Sequence, residues 1–281
     1  MEVIITNDYD SLSKMAAQYV IDLLNRKPNA VLGLATGSTP VGLYRELVAR
    51  YREHKIDFAQ VTTFNLDEYV GLSSDHPQSY SHFMREHLFE HINIPEQAIH
   101  VPNGTTTNHE AFCQWYEGEI QRLGGIDVQI LGIGGDGHIA FNEPGSSLGS
   151  RTRLKTLMEQ TVVDNARFFD DPGDVPRYAI TMGVGTILEA HHCLLVASGE
   201  NKAEPIAQAI EGPITSLVTA SALQLHRDVT VVLDEAAASQ LQLRDYYRWV
   251  HVNKPSPGDL DWHRKAETQA EKSRRSTAEE L

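Results

Sequence analysis

The sequence is poor in cysteine, in basic residues and in long apolar runs. Its 281 residues include two cysteines, Cys113 and Cys193, and both fall in segments with a regular pattern, so we expect buried thiols and no disulfide. The balance of 24 Lys and Arg against 38 Asp and Glu gives a formal net charge of −14. This charge argues against general binding to nucleic acids or anionic membranes, although a local basic pocket is compatible with it.

Membrane and export signals are missing as well. No apolar run approaches the roughly 18 to 20 residues that a bilayer-spanning helix needs. The first ten residues, MEVIITNDYD, lack the basic and then apolar layout of a signal peptide. We therefore expect a cytoplasmic protein of one domain, or at most two.

Short β-branched runs alternate with stretches of helical period from Met1 to about Ala238, a pattern typical of an α/β fold. It predicts a mostly parallel, open sheet of about seven strands with helices on both faces. The clearest helix carries an apolar stripe from Leu12 to Leu23. The predicted strands lie at residues 2–5, 30–35, 60–65, 98–102, 127–133, 192–198 and 228–234.

The composition changes near the C-terminus. From Asn253 onward the sequence is rich in charge, and its large apolar groups are Leu260, Trp262 and Leu281. We therefore assign one domain to residues 1–250 and a polar tail, helical or disordered, to residues 251–281. We do not expect catalytic residues in the tail.

The first informative loop, Thr36-Gly37-Ser38-Thr39, lies between a buried strand and a helical stretch. Thr39 suits the N-cap and Pro40 the first helical position, which would leave backbone N–H groups pointing out of the sheet. A phosphate or another anion would fit such a helix N-terminus. An ordinary capped turn fits equally well, and the missing lysine of a P-loop disfavours nucleotide triphosphate hydrolysis.

A second loop, residues 132–145, follows the strand VQILGIG and contains Asp136, His138 and Glu143. A histidine between two carboxylates is held in one tautomer and becomes a better proton acceptor, which suits general acid–base catalysis. The alternative is a glycine-rich turn whose histidine only caps a neighbouring segment.

Two ligand sites are disfavoured in this loop. Its GxGxxG pattern would bind a dinucleotide only if a helix began here and an acidic residue followed about 20 positions later, and neither is present. Asp-x-His supplies only part of a metal ligand set, and the other histidines show no matching spacing. We therefore expect no cofactor.

Asp67 and Glu68 follow the strand that ends at Asn65. Ligands bind at the carboxyl ends of parallel strands, so either carboxylate could share an edge of the sheet with the other two loops. A helix cap or a solvated loop is the ordinary interpretation of such residues; a second proton-transfer group is the functional one. Arg167 and Lys202 could complete an anion site if the fold brings them to the Thr36 loop.

Taken together, these segments closely resemble the glucosamine-6-phosphate deaminases, and the matching motifs span about residues 1–245 in the same order. The resemblance implies a modified Rossmann-like fold without nicotinamide or metal. The motifs are GLATGSTP at 33–40, FNLDEYVGL at 64–72, LGIGGDGHIAFNEPGSS at 131–147, SRTRLKTL at 150–157, NARFF at 165–169, TMGVGTIL at 181–188 and SALQLH at 221–226.

The resemblance also implies roles for individual residues. Asp67 matches the base that moves a proton from C2 to C1 of the open-chain amino sugar. His138 matches the group that opens the pyranose ring, with Asp136 and Glu143 as the flanking acids that set its charge and orientation. The remaining matches are contacts to the phosphate and the substrate, made by Thr36, Gly37, Ser38, Thr39, Arg167 and Lys202.

Some members of this family are activated by N-acetylglucosamine 6-phosphate at a subunit interface. Two hydroxyls and two cations match that effector site here, and they suit a sugar phosphate: Ser146, Ser147, Arg153 and Lys155. Tyr246 and Tyr247 cannot be aligned with the aromatic contact of activated members. A homo-oligomer, hexameric or smaller, with allosteric activation is the corresponding hypothesis.

Two rival functions remain. A 6-phosphogluconolactonase has a similar fold and a similar Asp-Gly-His loop, but its loop continues differently from the IAFNEPG at residues 139–145. A sugar-phosphate sensor would bind without turnover and would not need a paired base and acid such as Asp67 and His138. Release of ammonia from glucosamine 6-phosphate distinguishes the deaminase from both.

Overall fold

A computed structural model describes residues 1–166, 169, 171 and 174–255. The helices are α1 (Tyr9–Arg26), α2 (Ser38–Arg52), α3 (Tyr80–His87), α4 (His109–Arg122), α5 (Glu159–Asn165), α6 (Val184–Leu188), α7 (Ala203–Ile210) and α8 (Arg244–Val252). The strands are β1 (Glu2–Thr6), β2 (Val31–Leu34), β3 (Thr62–Asn65), β4 (Asp67–Tyr69), β5 (Ile99–His100), β6 (Val128–Leu131), β7 (Arg153–Thr156), β8 (Tyr178–Thr181), β9 (His192–Ala197) and β10 (Val229–Asp234).

The larger sheet is parallel throughout. In the described part of the chain it has seven strands in the order β1-β10-β9-β6-β2-β3-β5. Each lies within one or two residues of a predicted strand, so the predicted α/β class and parallel sheet are confirmed. The central strands β2 and β6 are buried at every position, as expected for strands covered on both faces.

A smaller antiparallel sheet, β4-β8-β7, was not predicted. Its strands have three or four residues, and a single residue, Leu66, separates the end of β3 from the start of β4. Leu66 joins the two sheets: its N–H donates to the carbonyl of Leu34 at 3.0 Å, and its own carbonyl accepts from Met182 at 2.7 Å. Residues that follow Leu66 therefore start at the carboxyl edge of the larger sheet.

The buried face of helix α1 differs slightly from the predicted apolar stripe. Asp8 caps it, since Oδ1 accepts the N–H of Ser11 at 2.7 Å. Leu12, Ala16 and Val20 of the predicted stripe are buried, whereas its other members are only partly buried against the core. The buried face instead includes Ser13, Ala17, Ile21 and Leu24. The helix is therefore rotated slightly from the predicted orientation, because it also packs against α2.

Other expectations concern the cysteines and the C-terminus. Cys113 and Cys193 are both buried free thiols, as predicted. The proposed tail begins inside α8, and residues 256–281 lie outside the described residues, so the division of the chain at residue 250 stays a prediction. Among the described helices, none has the length and apolar character that a membrane span requires.

Candidate active site

A cavity of about 730 Å³ lies at the carboxyl edge of the parallel sheet. The segments that follow β2, β3, β6 and β9 all contribute to its wall, as the rule for parallel sheets predicts. Of the predicted site residues, those that line the cavity are Thr36, Gly37, Ser38, Thr39, Asp67, His138 and Lys202. Three loops far apart in the chain therefore meet in one place.

The turn after β2 differs from the prediction at its helix start. Helix α2 begins at Ser38 with Gly37 as N-cap, so Thr39 is not the cap and Pro40 is the third helical residue. Gly37 has a φ of 102°, which a residue with a side chain rarely adopts, and this lets the helix begin earlier. The first-turn N–H groups of Ser38 and Thr39 have no acceptor among the described residues.

Asp67 and Glu68 are separated by the direction of their side chains. Asp67 lines the cavity and is 6% exposed; burial, and secondarily the charge of Glu68, raises its pKa to about 8. Glu68 instead accepts hydrogen bonds from the N–H groups of Tyr69, Tyr80 and Ser81 at 2.9 to 3.0 Å. Burial raises the pKa of Glu68 to about 7, although these hydrogen bonds oppose the change. Glu68 thus accepts N–H groups at the N-terminus of α3, while Asp67 faces the cavity.

His138 is paired with one carboxylate. Its Nδ1 lies 2.6 Å from Asp136 Oδ1, and the same oxygen accepts the His138 N–H at 3.1 Å. Partial burial raises the pKa of Asp136, but the hydrogen bond and the charge of His138 lower it more, so the pKa lies below its usual value. The Asp136 carboxylate therefore lies beside Nδ1 of the ring, although Nδ1 makes no hydrogen bond of regular geometry with the described residues.

Gly134 explains part of the glycine pattern in the loop. A Cβ on Gly134 would lie 2.3 to 2.5 Å from ring atoms of His138, so the imidazole packs directly on the backbone at this position. The chain then runs from Gly132 to Ser150, all described, as turns and bends without a helix. A dinucleotide fingerprint would need a helix here.

Buried polar residues that the sequence analysis missed hold this loop beside Asp67. Thr181 pairs with Asp67 in the small sheet, and its Oγ1 accepts the N–H of Phe141 at 3.0 Å. The side-chain amide of Asn142 donates to two carbonyls, those of Ile139 and Met182. These contacts connect the segment that carries His138 to the strand that carries Asp67. Because the partners lie about 40 residues apart, no local sequence pattern reveals them.

An aromatic wall completes the cavity. Tyr69 and Phe141 have ring centroids 5.6 Å apart, and Tyr80 stacks on Phe141 at 6.1 Å with an interplanar angle of 13°. All three line the cavity. Aromatic rings exclude water from one side of the site, which strengthens polar interactions on the other.

One cation, Lys202, reaches the cavity from the segment after β9. The Lys202 Nζ donates to the carbonyl of Ile133 at 2.8 Å, which places the ammonium group beside the His138 loop. Arg167 lies outside the described residues. In the described part of the chain, no group of three or more His, Cys, Asp or Glu side chains is arranged to hold a metal ion.

Residues 7–232 match the family model described as glucosamine-6-phosphate isomerases/6-phosphogluconolactonase. The chain belongs to this family. Two curated members are similar over most of their length: the glucosamine-6-phosphate deaminase of Thermoanaerobacter sp. (strain X514) is 52% identical over 245 residues, 87% of this chain and 97% of the relative. Glucosamine-6-phosphate deaminase 2 of Bacillus subtilis (strain 168) is 54% identical over 244 residues, 86% of this chain and 98% of the relative.

Solved structures of the family agree with the fold. A monomeric glucosamine-6-phosphate deaminase has a TM-score of 0.83 and 48% identity, covering 85% of this chain and all of that one. The 6-phosphogluconolactonase of Trypanosoma brucei has a TM-score of 0.66 at 19% identity, covering 85% of this chain and 98% of that one. At that identity the likeness concerns the fold alone.

Within this family member, Glu143 lies elsewhere than expected. Its buried carboxylate accepts the N–H of Met158 at 2.9 and 3.0 Å and the hydroxyl of Thr161 at 2.6 Å. Among the described residues, Asp136 provides the only carboxylate within 4.0 Å of a His138 nitrogen. The prediction that two carboxylates flank the imidazole is therefore wrong. Glu143 instead binds the start of α5, because the intervening loop turns its side chain away from the ring.

The four residues matched to an effector site lie on two neighbouring segments. Arg153 and Lys155 share one face of β7, and the Arg153 Nη1 donates to Asn142 Oδ1 at 2.9 Å. The Ser146 hydroxyl is buried without a partner among the described residues, and Ser147 Oγ accepts the N–H of Gly149 at 3.2 Å. No hydrogen bond joins any two of these four described side chains.

Proposed function

We infer that this chain is a glucosamine-6-phosphate deaminase, which converts glucosamine 6-phosphate and water to fructose 6-phosphate and ammonia in amino-sugar catabolism. The observation that carries this conclusion is the identity of 52 to 54% with curated deaminases over 86 to 87% of the chain. The family model also includes 6-phosphogluconolactonases, but the 6-phosphogluconolactonase of Trypanosoma brucei is only 19% identical to this chain.

The substrate phosphate binds at the N-terminus of α2. The free N–H groups of Ser38 and Thr39 and the partial positive charge of a helix N-terminus support this assignment. Lys202, in the segment after β9, adds a cation, and the hydroxyls of Thr36 and Thr39 add hydrogen-bond donors. Arg167 remains a predicted contact. The phosphate does not react, and its binding energy orients the sugar.

His138 opens the pyranose ring. One group must take the anomeric hydroxyl proton and return a proton to the ring oxygen, which an imidazole can do near neutral pH. The short contact between Nδ1 and Asp136 supports this role, because it occupies one side of the ring and leaves Nε2 for the sugar.

Asp67 then acts on the open-chain sugar. Its carboxylate removes the C2 proton while the aldehyde oxygen at C1 takes a proton from the protonated amino group, which forms the enolamine. The Asp67 carboxyl then returns its proton to C1, which gives the protonated ketose imine. Water adds to the imine carbon, and ammonia leaves as the carbonyl forms. The raised pKa supports the role of Asp67, since a desolvated carboxylate is a stronger base. A protonated amino group on the bound sugar would lower this pKa again and favour the ionised base.

Glu143 supports the cavity wall indirectly, through its hydrogen bonds to the start of α5. Its bonds to Met158 and Thr161 fix the start of the helix that brings Thr161 and Asn165 to the cavity wall. In this proposal the glutamate shapes the cavity, whereas Asp136 controls the imidazole.

The test is an assay that measures ammonia and fructose 6-phosphate from glucosamine 6-phosphate, with 6-phosphogluconolactone as the second substrate. We expect equimolar ammonia and ketose from the amino sugar and no acceleration of lactone hydrolysis. Lactone hydrolysis without ammonia would identify a lactonase, and binding of the amino sugar without either product would identify a sensor.

The activator and the assembly stay predictions of the resemblance. Arg153 contacts Asn142 in the loop that carries His138, so an anion bound at Arg153 and Lys155 would act on that loop. Sigmoidal velocity curves that become hyperbolic on addition of N-acetylglucosamine 6-phosphate would support activation; hyperbolic curves that do not respond would exclude it. Light scattering of the purified chain tests the predicted homo-oligomer, and cell fractionation tests the cytoplasmic location.

A further inference from the structure

The hydroxyl of Tyr9, on α1, contacts the backbone of the first turn of α2. It accepts the N–H of Gly42 at 2.8 Å and lies 3.0 Å from the carbonyl oxygens of both Ser38 and Thr39. In a regular α-helix the N–H of Gly42 would bond to the carbonyl of Ser38. The tyrosine hydroxyl therefore contacts both groups of one helical hydrogen bond, at the turn that borders the cavity.

A close approach of α1 and α2 makes this contact possible. A Cβ on Gly42 would lie 2.1 Å from Ser13 Oγ and 2.9 Å from Tyr9 Oη. Glycine at position 42 therefore lets α1 approach α2 closely enough for the hydroxyl to reach the backbone. The Asp8 cap fixes the first turn of α1, where Tyr9 is the first residue.

Planarity of the peptide connects this contact to the cavity. The carbonyl of Ser38 and the N–H of Thr39 belong to one trans peptide unit, so they point in opposite directions. Holding the carbonyl toward Tyr9 therefore holds the N–H of Thr39 away from Tyr9, and Thr39 lines the cavity. Tyr44 holds the start of the segment between β2 and α2, since its hydroxyl donates to the carbonyl of Ala35 at 2.6 Å.

We propose that Tyr9 is a positioning residue for the substrate phosphate. It acts through the backbone of Ser38 and Thr39 and does not touch the reacting carbons. This inference rests on the proposed function, because it takes the phosphate site at α2 as given. Loss of the hydroxyl should weaken binding of the phosphate group and leave the proton transfers at Asp67 and His138 intact.

Tyr9→Phe tests the proposal, because it removes one oxygen and keeps the ring. Relative to the parent enzyme, we expect KM for glucosamine 6-phosphate to rise about 3- to 10-fold, as for loss of one hydrogen bond, with kcat within about twofold. The inhibition constant of inorganic phosphate should rise by the same factor. Tyr19→Phe is the matched control: it removes a hydroxyl of the same helix that contacts Glu2, and since neither residue lines the cavity it should change neither constant.

A second variant separates positioning from stability. Tyr9→Leu also removes the ring, so it should lower Tm further than Tyr9→Phe while raising the phosphate inhibition constant by a similar factor. An inhibition constant that followed the loss of Tm across the two variants, or an unchanged KM in Tyr9→Phe, would overturn the proposal.

The phosphate-induced rise in Tm is a readout that does not need turnover. We expect this rise to be smaller in Tyr9→Phe than in the parent protein, and an equal rise in both would overturn the inference. Failure of the proposed function would instead appear as a parent enzyme that forms no ammonia. The two failures are therefore distinguishable.

Discussion

Asp67 and Glu68 are consecutive residues of one short strand, yet only Asp67 lines the cavity, while Glu68 accepts three backbone N–H groups around the start of α3. Both carboxyls are buried and both have a raised pKa, to about 8 and about 7. The base Asp67 thus has the carboxyl of Glu68 as its neighbour, and backbone hydrogen bonds hold that second carboxyl in place. This arrangement determines how the site should respond to substitution and to pH.

Replacing Asp67 by Asn should reduce turnover by about 10² or more and leave binding of the phosphosugar roughly unchanged, because only the proton transfer is lost. Ammonia release measures turnover, and calorimetry with a non-reacting phosphosugar analogue measures binding. Loss of binding in this variant would contradict the role assigned to Asp67.

The pH dependence of kcat/KM should report Asp67 in the free enzyme. Since its pKa is raised to about 8, the ionised base increases as pH rises from 6 to 8, and kcat/KM should rise with it. A profile that is flat over this range would contradict the assignment.

Glu68→Gln should move that rise in kcat/KM to lower pH. Burial is the larger cause of the raised pKa of Asp67, and the charge of Glu68 is the second, so removing the charge lowers the pKa only in part. Glu86→Gln, at an exposed position of α3, is the control and should leave the profile unchanged. A rise that stays in place in Glu68→Gln, or moves upward, would show that the two carboxyls do not interact.

Asp67→Asn should also change how stability depends on pH. A carboxyl whose pKa is raised on folding keeps its proton in the folded state while the unfolded chain loses it, so stability falls as pH rises from about 4 to about 8. Asparagine removes this loss, and the difference in Tm between the variant and the parent should grow in favour of the variant from pH 5 to pH 8.5. Asp245→Asn, at a fully exposed carboxylate, provides the control. A difference in Tm that is constant with pH would mean that Asp67 has an ordinary pKa.

His138→Gln should slow ring opening most, by about 10² or more, because an amide cannot exchange protons with the sugar. An acyclic substrate analogue that needs no ring opening should recover part of the lost rate. Equal losses on the cyclic and the acyclic compound would assign His138 to another step.

Local sequence patterns determined the larger sheet and the loops that carry the chemistry. Buried β-branched runs specify the seven parallel strands, and the rule for carboxyl ends placed the Thr36 turn, Asp67 and His138 on one edge. The start of α2 was wrong by two residues, because Gly37 adopts a positive φ that propensities for capping do not anticipate. The small sheet was missed, since strands of three or four residues give too short a pattern.

Only the tertiary structure decided which polar groups face each other. It separated Asp67 from Glu68, directed Glu143 to α5, and placed the Tyr9 hydroxyl against a helix some 30 residues away. Periodicity reports which face of an element is buried, but the partner of a buried polar group depends on how two elements pack and on a glycine such as Gly42 that lets them approach. The sequence by itself therefore determined the strands and the chemistry available at their ends, whereas packing between distant segments decided the role each side chain can take.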